Sequence, residues 1–235
     1  MYLDFLNYQK YYETTIGKSL SDHIENKLKK YCYLYDHQKI GCFGFSHPYT
    51  KFVSKNNLDI NYCNTKKMGL SKVSGLLNKQ ILIDEEHLPF QDSFFDHVFL
   101  IHYLENTLNL KTTIREIWRT LAPEGKCYVI IPNKNSSWSM SANSPFSSGL
   151  SFTKRNVENL FKESFFDIQF IERLVYFPNY NSNFIKNNKF FFDKIGSVFF
   201  RYLNAVHLCI LKKRVYAETN NLPARNYIRK FASSI

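Results

Sequence analysis

The spacing of apolar residues changes period several times along this chain, and each change marks an element. An aromatic-rich stretch over 2–14 reads as a short helix or arm. From Ser19 to Tyr31, Leu20, Ile24 and Leu28 recur every four residues, a single helical stripe with Ser19 as its cap and Asp22 near the positive end of the dipole. Four strand-like runs follow, at Gln38–Phe45, Asn57–Cys63, Gln80–Ile83 and Phe95–Ile101. Between 106 and 121, Leu110, Ile114, Ile117, Trp118 and Leu121 line one helical face, and Pro123-Glu124-Gly125 ends that helix. Lys126–Ile131 is a continuous apolar run, as expected of a strand buried on both faces. Thr153 caps a helix through Phe161 whose inner face is Val157, Leu160 and Phe161. Phe166–Tyr176 and Ala205–Val215 read as two further strands.

This alternation predicts an α/β fold: a mostly parallel sheet of about seven strands, helices on both faces, and the last two strands as an antiparallel edge. One domain is expected over 1–217. It carries an N-terminal helical arm (1–35), a long Ser/Asn/Pro-rich loop (133–152) and an aromatic, basic helical insertion (183–203), and a flexible tail follows at 218–235.

Composition narrows the picture. A chain of 235 residues, 44% apolar and 22% charged, buries a full core. Its formal net charge of +11 admits a polyanionic partner such as RNA or an anionic surface, but no dense basic run accompanies the core motifs, and Lys spread over a solvated surface is the plainer account. The five cysteines, Cys32, Cys42, Cys63, Cys127 and Cys209, are odd in number and widely spaced, so neither a disulfide framework nor a zinc site is expected; metal ligands are read as none and the compartment as a reducing cytoplasm. Met1-Tyr2-Leu3-Asp4 begins no signal peptide, and nowhere do ~18 apolar residues run together to span a membrane. None of these patterns speaks to oligomeric state.

The chemistry concentrates where strands end. Leu88-Pro89-Phe90-Gln91-Asp92 turns into the strand Phe95–Ile101, which ends in His102-Tyr103-Leu104-Glu105; a helix bearing Glu116 and Arg119 and a second apolar strand ending in Pro132-Asn133 follow. This succession resembles the central part of a class I S-adenosylmethionine-dependent methyltransferase, of the branch called methyltransferase type 11. A narrower resemblance is to a bacterial subgroup, common in alphaproteobacteria, with a G-x-A-T-P-Y loop, an H-x-L-E after the fourth strand and a T-P-F-containing segment after the fifth. The matching residues here are Gly44-Phe45-Ser46-His47-Pro48-Tyr49, His102-Tyr103-Leu104-Glu105 and Ser144-Pro145-Phe146-Ser147-Ser148-Gly149. Echoes at Tyr11-Tyr12…Gly17 and at 205–217 extend the match to roughly 5–217.

The resemblance implies a Rossmann-like fold, S-adenosylmethionine as cofactor, and contacts to it from Gly44, Phe45, Ser46, His47, Asn61, Asp84, Glu85, Ile101 and His102. The glycine loop is degenerate: Gly44 alone survives, Cys42 stands where a carboxylate is usual, and Asn61-Tyr62-Cys63 offers no acid after the second strand. Asp84 is read as an adenine contact, against a strand-end turn residue. His102 is read as a general base or substrate-orienting group, against a packed histidine; His47 as a carboxylate contact, against an exposed one. Capping and dipole roles suffice for Asp96 and Glu105. Two functions stay open: methyl transfer to an unidentified acceptor, or a methyltransferase-fold module without donor binding that serves assembly or contacts RNA. A nicotinamide enzyme is disfavoured, because G-x-G-x-x-G is absent.

Overall fold

Four parallel strands form the middle of the molecule: β1 (Lys39–Phe43), β2 (Asp59–Thr65), β3 (Gln80–Ile83) and β4 (Phe95–Ile101). Beyond β4 lies the parallel β5 (Leu121–Pro132), then β6 (Phe166–Leu174) and β7 (Val206–Lys213), giving the order β3-β2-β1-β4-β5-β7-β6 with β7 antiparallel to both neighbours. The computed structural model describes residues 4–55, 57–70, 80–142, 144–179, 188–200 and 202–215.

Helices cover both faces because the strands alternate two apolar sets. Ile40, Cys42, Ile60, Phe99, Ile101, Tyr128 and Ile130 face α1 (Phe5–Glu13) and α2 (Thr15–Tyr31), which contribute Phe5, Tyr8, Tyr12, Leu20, Ile24 and Leu28. Phe43, Val98, Leu100, Cys127, Val129 and Leu211 face α3 (Leu110–Thr120) and α5 (Lys154–Glu163). A short α4 (Ser137–Met140) lies in the long loop, and α6 (Lys189–Phe199) precedes β7.

β3 and β4 have the expected bounds, and Thr153 caps α5 as expected. Several expectations are corrected. α2 begins at Thr15 under a Thr14 cap, so Ser19 lies buried inside it. β2 runs on to Thr65. α3 starts only at Leu110, after a 3-10 turn over Leu104–Asn106. Pro123-Glu124-Gly125 does not end that helix: α3 stops at Thr120 and the chain enters β5 directly. The segment fits because β5 advances from Leu121 to Lys126 while β4 advances only from Phe95 to His97, a bulge that takes up the extra residues. Trp118 packs at the rim of this core, partly buried, and donates to Phe165 O at 3.0 Å. β6 stops at Leu174, where Val175 takes φ 65°. Of the 183–203 insertion, α6 is described; 183–187 and the tail at 218–235 lie outside the described residues.

Candidate functional site

The strand order reverses between β1 and β4, whose carboxyl ends lie side by side, with Phe43 paired to Leu100. In open α/β sheets, that crevice is where ligands bind. Gly44 leaves β1 with φ +76°, and a Cβ there would sit 2.4 Å from Ile101 O and 2.9 Å from His102 O. The glycine is thus required by the close approach of two backbones at the crevice floor.

His102 follows β4 with φ 54°, a left-handed conformation that costs a non-glycine residue on the order of 1 kcal/mol and concentrates at functional sites. Its ring is wholly buried. Nδ1 lies 3.0 Å from Glu105 Oε1; Nε2 lies 2.7 Å from the Tyr12 hydroxyl and 3.3 Å from that of Tyr49. Facing a carboxylate, Nδ1 carries the proton, which leaves Nε2 to accept one from a hydroxyl. The two tyrosines also hydrogen-bond each other. Burial, reinforced by the neighbouring phenol, drives the Tyr12 pKa far up, and burial does the same for Tyr49, so both remain proton donors. Glu105 Oε2 is buried and has no partner among the described residues. The role expected for Glu105, capping alone, is therefore corrected: it is the carboxylate behind His102. The H-x-L-E spacing was the signal for this pair, because a left-handed first residue folds His and Glu onto one another.

Aromatic rings close over this network. Phe45 sits against Phe5 at 4.7 Å, Tyr8 at 5.3 Å and Tyr12 at 5.4 Å; His102 is covered by Tyr8 at 4.4 Å and Phe146 at 5.2 Å. Beside Gly44, Ser46 and His47 only about 10 Å³ remains open, against Asn64 and Tyr62. Ser46 Oγ, near the Cys42 thiol, and Asn64 Oδ1 are buried without a hydrogen bond among the described residues; so is the Tyr62 hydroxyl, near Thr50 and Ser54.

The other expected residues separate. His47 opens a 3-10 turn, half-buried, its pKa lowered by burial and by Lys51. Asn61 pairs with Gly41 inside β2, and Asn64 takes the place beside the gap because β2 is longer than its apolar run. Asp84 and Glu85 line a separate open groove of about 370 Å³ with Thr65, Lys66, Ile83 and His87. Asp84 accepts from Glu86 N at 2.9 Å, and Glu85 accepts from Leu108 N at 2.8 Å. The Asp84 side chain is 62% exposed, so one carboxylate oxygen serves the turn while the carboxylate stays open to solvent.

These residues fit an adenosyl ligand unevenly. The Asp84 groove and the unsatisfied Ser46 and Asn64 are suited to a base and its polar sugar. The end beside Gly44 is filled by Phe45 and α1, and Cys42, its thiol pushed up to about 12 by burial, supplies no anion for an ammonium group. Among the described residues no cluster of three or more His, Cys, Asp or Glu could hold a metal ion, and no helix is long and apolar enough to cross a membrane.

Residues 40–129 match the family model described as a methyltransferase domain. An uncharacterized protein of Methanocaldococcus jannaschii is 33% identical over 136 residues, 57% of this chain and 57% of that one, so the match spans little more than half of the relative. Among solved structures, a SAM-dependent methyltransferase of Thermotoga maritima, described as a possible histamine N-methyltransferase, superposes with a TM-score of 0.60 at 13% identity, over 89% of this chain and 96% of that one. The cyclase SpnF superposes at 0.56 with 15% identity, over 85% and 82%. The chain therefore has the Rossmann-like fold of class I methyltransferases, with a methyltransferase-domain match over residues 40–129.

Proposed function

We propose that this protein is an S-adenosylmethionine-dependent methyltransferase whose crevice is covered by its own N-terminal helix, and that His102 is the general base, held by Glu105. The observation that carries the reading is His102 Nε2 accepting from the Tyr12 hydroxyl at 2.7 Å with a buried carboxylate on its far side. Tyr12 occupies the place of an acceptor O–H or N–H. When α1 withdraws, an acceptor hydroxyl or amine takes that place and passes its proton to Nε2, while Glu105 stabilises the imidazolium that forms. The cofactor, when bound, supplies an electrophilic methyl group on sulfonium. Ser46, Asn64 and Asp84 would hold its polar groups, and the aromatic cover excludes water from the crevice. The acceptor and any polyanionic partner of this basic chain are unidentified, and a reducing cytoplasmic setting suits its five buried thiols.

A second reading is favoured by the filled hollow at Phe45: a methyltransferase-fold module that no longer takes the donor and serves binding or assembly. Calorimetric titration of the full chain with S-adenosylhomocysteine separates the two. Saturable binding that weakens on Asp84→Ala and tightens on Phe45→Leu is expected. No heat at millimolar ligand, for the native protein and for Phe45→Leu alike, leaves the module.

A further inference from the structure

The sheet carries a second cavity at its carboxyl edge, beyond β5, and nothing in the donor reading uses it. About 530 Å³ opens between the start of α5, the end of β6 and the start of β7, in the size range of small-molecule sites. Its walls carry Lys154, Arg155, Arg173, His207 and Tyr202. Arg173 and His207 are direct cross-strand partners, so their side chains share a face. The Arg173 guanidinium lies 5.2 Å from the Tyr202 ring. Lys154 pairs with Glu158, also in the wall, at 3.4 Å; among the described residues neither Arg155 nor Arg173 has an ion-pair partner.

His207 is the second, independent sign of a ligand. It is only 2% exposed, and its Nε2 has no hydrogen-bond partner among the described residues. Asn133 Nδ2 donates to Asn204 Oδ1 at 3.1 Å, which fixes that amide so that Asn204 Nδ2 faces His207 Nδ1 at 3.4 Å. Nδ1 is therefore the acceptor and Nε2 carries the proton. Burial, then the charges of Arg173 and Lys154, hold the imidazole pKa down to about 4, so near neutrality this is a neutral N–H donor. A buried donor without an acceptor is costly to leave unmade, and a bound anion recovers that cost. The first turn of α5, capped by Thr153, adds amides that have no carbonyl to reach within the helix.

We propose that this cavity binds a phosphate-bearing small molecule. Two unpaired guanidiniums, a lysine, an imidazole N–H and a helix start converge from different directions, as a tetrahedral dianion requires and a planar carboxylate does not. Tyr202 offers a flat face to the rest of the ligand. The site is a concavity, whereas a polynucleotide calls for an extended basic track. The inference stands apart from donor binding and survives its failure.

The test is an NMR titration of the full chain at constant ionic strength, with inorganic phosphate and phenyl phosphate as probes and the ring nitrogens of His207 observed. Saturable shifts at His207 are expected, with a dissociation constant on the order of millimolar for phosphate and about tenfold tighter for phenyl phosphate. Arg173→Gln and Arg155→Gln, at positions not fully buried, should each weaken binding about fivefold or more while the thermal midpoint stays put, and Lys10→Gln, on the exposed face of α1, should change nothing. Shifts that persist unchanged in both arginine variants, an unresponsive His207 signal, or stronger displacement by a short RNA than by phenyl phosphate each overturn the proposal.

Discussion

Tyr12 of the first helix donates to His102 Nε2 at 2.7 Å, joining chain segments ninety residues apart in a fully buried contact. The contact opposes ligand entry, because whatever reaches Nε2 must first displace the phenol. Tyr12→Phe keeps the ring and removes the hydroxyl. Stability should fall by about 1–2 kcal/mol in urea unfolding, since Nε2 is left with only the longer bond to Tyr49. Affinity for S-adenosylhomocysteine should rise several-fold, because the covered state that competes with the ligand is weakened. Unchanged affinity would mean that α1 is fixed structure and not a cover.

Ser46 makes the opposite trade. Its buried hydroxyl has no hydrogen bond among the described residues, so Ser46→Ala should raise stability by up to about 1 kcal/mol. If that hydroxyl waits for a polar ligand, the same variant binds S-adenosylhomocysteine more weakly. Gain of stability together with loss of affinity identifies a ligand contact; loss of stability instead shows that the hydroxyl is satisfied within the protein.

How much of this was legible in the chain depends on the range of the interaction concerned. Phe95–Ile101 is bounded by a turn and by polar residues, and its local pattern sufficed. Leu121 and Pro123-Glu124-Gly125 misled because helix-stop chemistry and a strand bulge use the same residues, and only pairing with β4 distinguishes them. Asn64 escapes a reading that ends β2 at Cys63, because the strand continues into polar residues, where hydropathy gives no signal. The motif singles out His102 and Gly44, but the closure of Phe5, Tyr8 and Tyr12 over them is a contact between distant segments that no periodicity announces. His207 was legible only as part of the last strand, since its missing partner is a property of the packed state.

Arg119 ties α3 to the turn preceding β4. Its guanidinium donates to Leu88 O at 3.0 Å and Phe90 O at 2.8 Å while bonding both Glu116 oxygens and Asp92. A lysine cannot reproduce that planar fork. Arg119→Lys should cost about 1–3 kcal/mol and loosen the 88–92 turn, seen as faster amide exchange at Leu88, whose N–H is held by Glu116. Stability within about 0.5 kcal/mol of native would show the fork to be solvent-exchanged and weak.

Acid should weaken the fold before carboxylates titrate in bulk. Burial holds both His97 and His207 down to about 4, with Lys126 adding to the effect and Asp96 opposing it at His97. In the unfolded chain each takes up its proton near 6.5. Between roughly pH 6.5 and 4 the unfolded state therefore binds protons that the native state refuses, and stability falls by about 3 kcal/mol per histidine by the lower limit. Glu116, held low by its bonds to Arg119, adds its own loss below its unfolded pKa. Unfolding free energy in phosphate-free buffer should decline from pH 7 to 4.5, with a shallower slope in His97→Gln. A flat profile over that range would place both imidazoles in contact with water.

Gly149 anchors the long loop after β5 to the carboxylate side of the His102 network. It has φ +79°, and a Cβ there would lie 2.2 Å from Glu105 O, the same carbonyl that accepts from Leu150 N at 2.8 Å. Gly149→Ala therefore meets both a backbone clash and a disfavoured torsion, and should destabilise by about 2 kcal/mol or more. The damage should be local: the loop lifts, Phe146 leaves the His102 ring, and the Leu150 amide loses its protection against exchange while the β4 and β5 amides keep theirs. Since Glu105 then sits beside water, methyl transfer that depends on a dry His102–Glu105 pair should fall further than donor affinity does. Equal losses in the two measurements would separate the loop from the chemistry and leave it as a wall of the binding site alone.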